Sequence, residues 1–91
     1  MLFRSLVPGG IVEQTHQVMK NLQTVLAGAG TSLDRVVFAR VYLVNFQDYA
    51  AMNGVYARRM GEHKPARSTV IVAALPRNAP IEIDLIARAK R

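Results

Sequence analysis

The sequence predicts an α+β domain in which two helices cover one face of a β-sheet. Three observations carry that expectation. Two stretches, 11–29 and 46–60, repeat apolar residues at helical spacing. Three others, 35–44, 66–74 and 81–87, are runs of β-branched and aliphatic residues. Those runs are apolar on both alternating sets of positions, so each strand face needs cover. Helices can supply one layer, and the chain has only two of them.

The first ten residues, Met1 to Gly10, hold one arginine and a short apolar patch. That is too little for the apolar region of a signal peptide or for a membrane span, and a cytoplasmic protein with no membrane partner is expected. Leu6-Val7-Pro8-Gly9-Gly10 reads as a turn leading into the first helix. Ile11, Thr15, Val18, Met19, Leu22, Val25, Leu26 and Ala29 then mark the inward stripe, and Gly28 and Gly30 close it. His16 falls off the stripe and reads as an exposed helix residue.

Thr31 to Asp34 is a loop before the first strand, Arg35 to Val44. Strict alternation puts Val36, Phe38 and Tyr42 on one side, with Val37, Ala39, Val41 and Leu43 on the other. Asn45 is placed to accept from first-turn amides of the second helix, with Asp48 favourable to its dipole. Phe46, Tyr49, Ala50, Asn53, Ala57 and Met60 trace its expected inward stripe, and Gly61 stops it. The last two strands, 66–74 and 81–87, read as a hairpin-like pair between prolines that cannot join a ladder. The face away from the helices then carries valine, isoleucine and alanine that water should not see, which points to self-association.

Ninety-one residues make one domain, 1–91, small enough that assembly would help stabilise it. There is no cysteine, which excludes disulfides and thiolate chemistry. The two histidines, His16 and His63, have no ligand-like spacing, so neither a metal nor a cofactor is expected. The net charge of +6 would suit a polyanion. The basic residues are dispersed, however, apart from Arg58-Arg59 and the tail Arg88, Lys90 and Arg91, and no aromatic-interleaved basic strip appears. The pattern argues against nucleic acid as the main partner.

Charge placed inside core strands is the candidate functional signal, and it falls on Arg67 and Glu82. A guanidinium fork meets a carboxylate bidentately in a way that lysine cannot reproduce. A carboxylate such as Glu82 could steer or deprotonate a water. An interface ion pair or plain solvated charge would account for the same two residues. A simple hairpin about 75–80 would place Glu82 opposite Ala73, roughly 20 Å from Arg67 at about 3.3 Å per residue. A shared pocket therefore requires another strand pairing or a partner subunit.

Gln14-Thr15-x-Gln17, Asn21-Leu22-x-x-Val25-Leu26-x-x-Ala29-Gly30, Val36-Val37, Asn53-x-x-Tyr56, Pro65-Ala66-Arg67-Ser68, Leu75-Pro76 and Ile81-Glu82-Ile83 together resemble the Rid family, also called YjgF or endoribonuclease L-PSP. The similarity runs from about Gly9 to near the end. It implies a chorismate-mutase-like α+β subunit with a mixed sheet, packed as a homotrimer with ligand pockets between subunits. It also implies hydrolysis of enamine and imine intermediates, such as 2-aminoacrylate and 2-iminopropionate, to 2-keto acids and ammonia. By position, Arg67 matches the arginine that grips the substrate carboxylate and Glu82 the acidic residue associated with the attacking water. Thr69 stands where many members have a cysteine whose backbone groups seat the ligand, and Asn53 matches a pocket asparagine. Members begin earlier, with strands that include a Ser-Gly-Gln segment and an aromatic pocket residue. Residues 1–10 are atypical beside them, so a truncated N-terminus and an uncovered sheet edge are expected. Two other functions fit the resemblance: a non-catalytic binder of 2-keto acids, and an RNA-acting protein.

Overall fold

The computed structural model describes residues 10–89. The turn expected at 6–10 therefore falls almost wholly outside the described residues. The chain forms helix α1 (Ile11–Gly28), strand β1 (Val36–Leu43), helix α2 (Tyr49–Met60), strand β2 (Ala66–Ile71) and strand β3 (Ile81–Ala87). Single 3-10 turns at Leu33–Arg35, Phe46–Asp48 and Pro76–Asn78 join them. The expected α+β class, with both helices on one face of a mixed sheet, is what the structure shows.

Helix α1 begins where the Glu13 carboxylate accepts from the Gly10 N–H at 3.0 Å, adding negative charge near the helix N-terminus. It ends with Gly30 at a positive φ of 79°. Its buried face is Gln14, Thr15 and Met19, with Val18, Leu22 and Leu26 packed at the margin. Val25, assigned to the stripe from the sequence, is 65% exposed. The buried Thr15 hydroxyl donates back to the Ile11 carbonyl at 2.7 Å and so carries no unsatisfied donor into the core.

Strand β1 departs from strict alternation. Val36, Ala39, Val41 and Leu43 are all buried, because an irregularity between Val36 and Phe38 turns the strand by one residue. Val36 thereby joins the inner face, while Phe38, Arg40 and Tyr42 take the outer one.

Helix α2 follows a 3-10 turn in which Asn45 Oδ1 accepts from the Gln47 N–H at 2.9 Å, as its position suggested. Its inward residues are Met52, Val55, Tyr56 and Met60. The expected phase was wrong in part, since Phe46 is 69% exposed and Ala50 and Ala57 face solvent. The large apolar side chains set the phase, and alanine is too small to compete with them. Gly61 ends the helix at φ 68°, ψ −131°, a region closed to residues with a Cβ.

The hairpin reading of the last two strands is corrected. The sheet order is β2-β1-β3, with β1 in the centre. Strand β2 runs parallel to β1, with Arg67 beside Ala39 and Thr69 beside Val41. Strand β3 runs antiparallel to β1, with Leu85 beside Ala39 and Glu82 beside Tyr42. A parallel neighbour needs a crossover, and α2 supplies it.

The core lies between the helices and the inner sheet face, around Met19, Val36, Val41, Leu43, Met52 and Ile83. The outer face exposes Val37, Val70 and Ile86, as anticipated. It also carries a polar chain that the sequence did not suggest. Arg40 Nη1 donates to the Tyr42 hydroxyl at 3.2 Å, and that hydroxyl donates to Asp84 Oδ2 at 3.0 Å. No helix among the described residues is long and apolar enough to cross a membrane.

Candidate functional site

Arg67 occupies the second position of β2, and its neighbour Ala39 is fully buried on the helix side, so its side chain is aimed at α2. Three α2 residues meet it. Nη1 donates to Asn53 Oδ1 at 2.8 Å and Nη2 to the Tyr49 hydroxyl at 3.0 Å. The guanidinium carbon lies 4.8 Å from the centre of the Tyr56 ring and 5.8 Å from that of Tyr49. Residues 49, 53 and 56 share one helix face by their spacing of four and three. The two hydrogen bonds use two of the five guanidinium N–H groups, which leaves donors for a bidentate acceptor.

This guanidinium forms part of the wall of a cleft of about 230 Å³, which Asn53, Tyr56, Met60, His63, Lys64 and Pro65 also line. His63 is held in place by Nε2, which lies 2.7 Å from the Val36 carbonyl oxygen. A carbonyl only accepts, so Nε2 carries the proton and Nδ1 is left without that duty. Burial pushes the Tyr56 phenol above its ordinary value, and the Arg67 charge beside it pulls partly the other way. Its hydroxyl is buried with no hydrogen-bond partner among the described residues.

The remaining candidates separate. Asn53 stands beside Arg67, where it both orients the guanidinium and lines the cleft. Thr69 is on the same face two residues on, with its hydroxyl buried and without a hydrogen-bond partner among the described residues, but it is not among the residues lining the cleft. Glu82 is exposed between the buried Ile81 and Ile83, so it projects from the outer face. It is also three residues further along the sheet, about 10 Å, because it pairs with Tyr42 whereas Arg67 pairs with Ala39. Within one chain, Arg67 and Glu82 thus stand on opposite faces of the sheet, so of the two routes to a shared pocket left open by the sequence, the strand pairing seen here does not provide one.

Tyr49 and His63 are site neighbours that sequence reasoning passed over. Tyr49 was assigned to the core, yet its spacing to Asn53 and Tyr56 marked a polar-tipped helix face. His63 gave no comparable signal. His16, read as exposed, is half-buried, and its Nδ1 accepts from Arg59 Nε at 3.1 Å, tying α1 to α2. Among the described residues no group of three or more His, Cys, Asp or Glu could hold a metal ion.

Fold and site together define a two-helix α+β domain with an arginine-walled cleft. The family described as Endoribonuclease L-PSP matches residues 3–89. The chain belongs to that family, as the resemblance in its motifs indicated. A RutC family protein of Pyrococcus horikoshii is 48% identical over 82 residues, which make up 90% of this chain and 65% of that protein. The 2-iminobutanoate/2-iminopropanoate deaminase of Mus musculus is 42% identical over 82 residues, covering 90% of this chain and 61% of that one. The crystal structure of yeast Mmf1 superposes with a TM-score of 0.90 at 43% identity, over 92% of this chain and 67% of its own. The chain therefore spans less than two thirds of the length of these two curated relatives.

Proposed function

We propose that the chain hydrolyses small 2-imino acids, and their enamine tautomers, to 2-keto acids and ammonia. The observation that carries this reading is the Arg67 guanidinium, braced by Asn53 and Tyr49 and laid over Tyr56 at the wall of a cleft. A braced fork loses little freedom when it takes up a carboxylate, so its donors act on the ligand rather than on their own ordering. The deaminase of Mus musculus, named for such substrates, supports the same class.

In this reading the substrate carboxylate docks on the unused guanidinium N–H groups, and the imine carbon faces into the cleft. A water adds to that carbon and loses a proton. The carbinolamine nitrogen takes up a proton, the new hydroxyl gives one up, and the C–N bond breaks with its electron pair on nitrogen as the C=O bond forms, releasing the 2-keto acid and ammonia. Glu82 faces away from the cleft of its own subunit, so it serves as the water-steering carboxylate in the cleft of a neighbouring copy. The apolar outer face around Val37, Val70 and Ile86 gives such copies a reason to assemble, and a homotrimer is the assembly we propose.

The test is ammonia release from 2-aminoacrylate generated in the assay. Wild-type chain should speed it, and Arg67→Ala should lose nearly all of that increment while keeping the same mass by light scattering. Unchanged turnover in Arg67→Ala would remove the carboxylate anchor and the proposal with it.

A further inference from the structure

The cleft is larger than the smallest imino acids need, and its two ends differ chemically. Its α2 wall runs from Asn53 to Met60, seven residues or about 10 Å at the helical rise. Arg67 is bonded at the Asn53 end. The other end is formed where the chain leaves α2 and enters β2, with Gly61, His63 and Lys64 in the lining. Between them the surface is Tyr56, Ala57, Met60 and Pro65. Arg67, Lys64 and His63 are the charged or titratable residues of that lining apart from Tyr56, and none is acidic.

We infer that the cleft prefers 2-imino acids whose side chain ends in a second carboxylate. The inference rests on the deaminase reading and names the substrate class for the same site. The first carboxylate meets Arg67, the methylene chain lies along the apolar middle, and the terminal carboxylate reaches the end where Lys64 and His63 stand. A side chain without that charge fills the apolar middle equally well but leaves the cationic end facing water, so it gains nothing there. Lys64 is the standing cation of this end; His63, its ring fixed by the Nε2–H bond to the Val36 carbonyl, adds a donor there only when Nδ1 also carries a proton, since in the neutral ring that nitrogen accepts. Charge-assisted hydrogen bonds of this kind separate matched ligands by roughly tenfold or more.

The experiment is calorimetric titration of the full chain with the stable 2-oxo acids as probes. Pairs matched in length are compared: 2-oxoglutarate with 2-oxopentanoate, and 2-oxoadipate with 2-oxohexanoate. The diacid of at least one pair should bind about tenfold tighter or better. A Lys64→Gln, His63→Gln variant should close that gap, bringing each diacid to the affinity of its matched monoacid. Lys64 is exposed, and a glutamine at 63 can still donate to Val36, so the variant should fold. Equal affinities within both pairs, with binding still abolished by Arg67→Ala, would overturn the diacid preference and leave the anchor standing. A gap that persists in the double variant would overturn the assignment to Lys64 and His63. If no 2-oxo acid binds and no imine is hydrolysed, the deaminase reading fails and this inference falls with it.

Discussion

Tyr56 offers a sharp test of the site's energetics, because its ring and its hydroxyl have opposite consequences. The residue is only 6% exposed, its ring underlies Arg67 at 4.8 Å, and its hydroxyl has no hydrogen-bond partner among the described residues. Tyr56→Phe keeps the ring and removes the orphan. An unsatisfied buried hydroxyl costs about 1–3 kcal/mol, and in a domain of this size 1 kcal/mol moves Tm by about 4–8 °C. The variant should therefore melt at least about 4 °C higher at neutral pH, by differential scanning calorimetry. The pH dependence follows from the raised phenol. Since the folded-state value lies above the ordinary one near 10, the folded chain holds the proton more tightly than the unfolded chain does. That contribution is fully present below about pH 10 and is lost as pH rises toward the folded-state value. Wild-type Tm should fall more steeply above pH 10 than that of Tyr56→Phe. A variant that melts several degrees lower at neutral pH would show that the hydroxyl is paired in the folded protein, and the reasoning would be refuted.

Further outcomes follow from the same geometry. Arg67→Lys should release ammonia little better than Arg67→Ala, because an ammonium cannot hold Asn53, Tyr49 and a carboxylate in one plane; recovery of most of the activity by lysine would show that charge alone suffices. Since Arg67 and Glu82 face opposite ways in one subunit, Arg67→Ala and Glu82→Gln chains refolded together should regain up to about a quarter of wild-type turnover, the share of clefts that draw both intact residues from different copies of a cyclic assembly. No gain on mixing would place both groups in one chain's own site or take Glu82 out of the reaction. Gly61→Ala should cost about 1–3 kcal/mol in urea titrations, because nothing crowds a Cβ there and the whole penalty comes from the backbone at φ 68°, ψ −131°. Met52→Ala, at a fully buried core position, should cost about 2–5 kcal/mol, enough to leave so small a domain partly unfolded at 37 °C.

The parts of the fold that could be read from the sequence are those set by local rules. Gly61 stops α2 as expected, and Asn45 caps the 3-10 turn that leads into it rather than α2 itself, because an Asx acceptor and a residue tolerant of positive φ each act within one turn. The misreadings came where a distant neighbour decides. The strand irregularity at Val36–Phe38 moves Val36 inward to meet the helices, and alternation by itself cannot register it. The pairing of β2 and β3 looked like a hairpin because a short loop joins them, yet β1 takes the place between, since a parallel β1-α2-β2 unit buries β1 on both edges. That topology reshapes the site. Arg67 was identifiable as a charge out of place, but its partners Asn53, Tyr49 and Tyr56 lie on the crossover helix, and only the crossover brings that helix over β2. The same alternation that turns Arg67 toward the helices turns Glu82 outward, toward the apolar face around Val70 and Ile86. An exposed carboxylate amid valine and isoleucine is costly to cover unless the covering surface presents a cation or a bound water. On the assembly proposed above, covering this face would have to satisfy Glu82, and a neighbour's arginine-walled cleft would supply the cation and the water that do so.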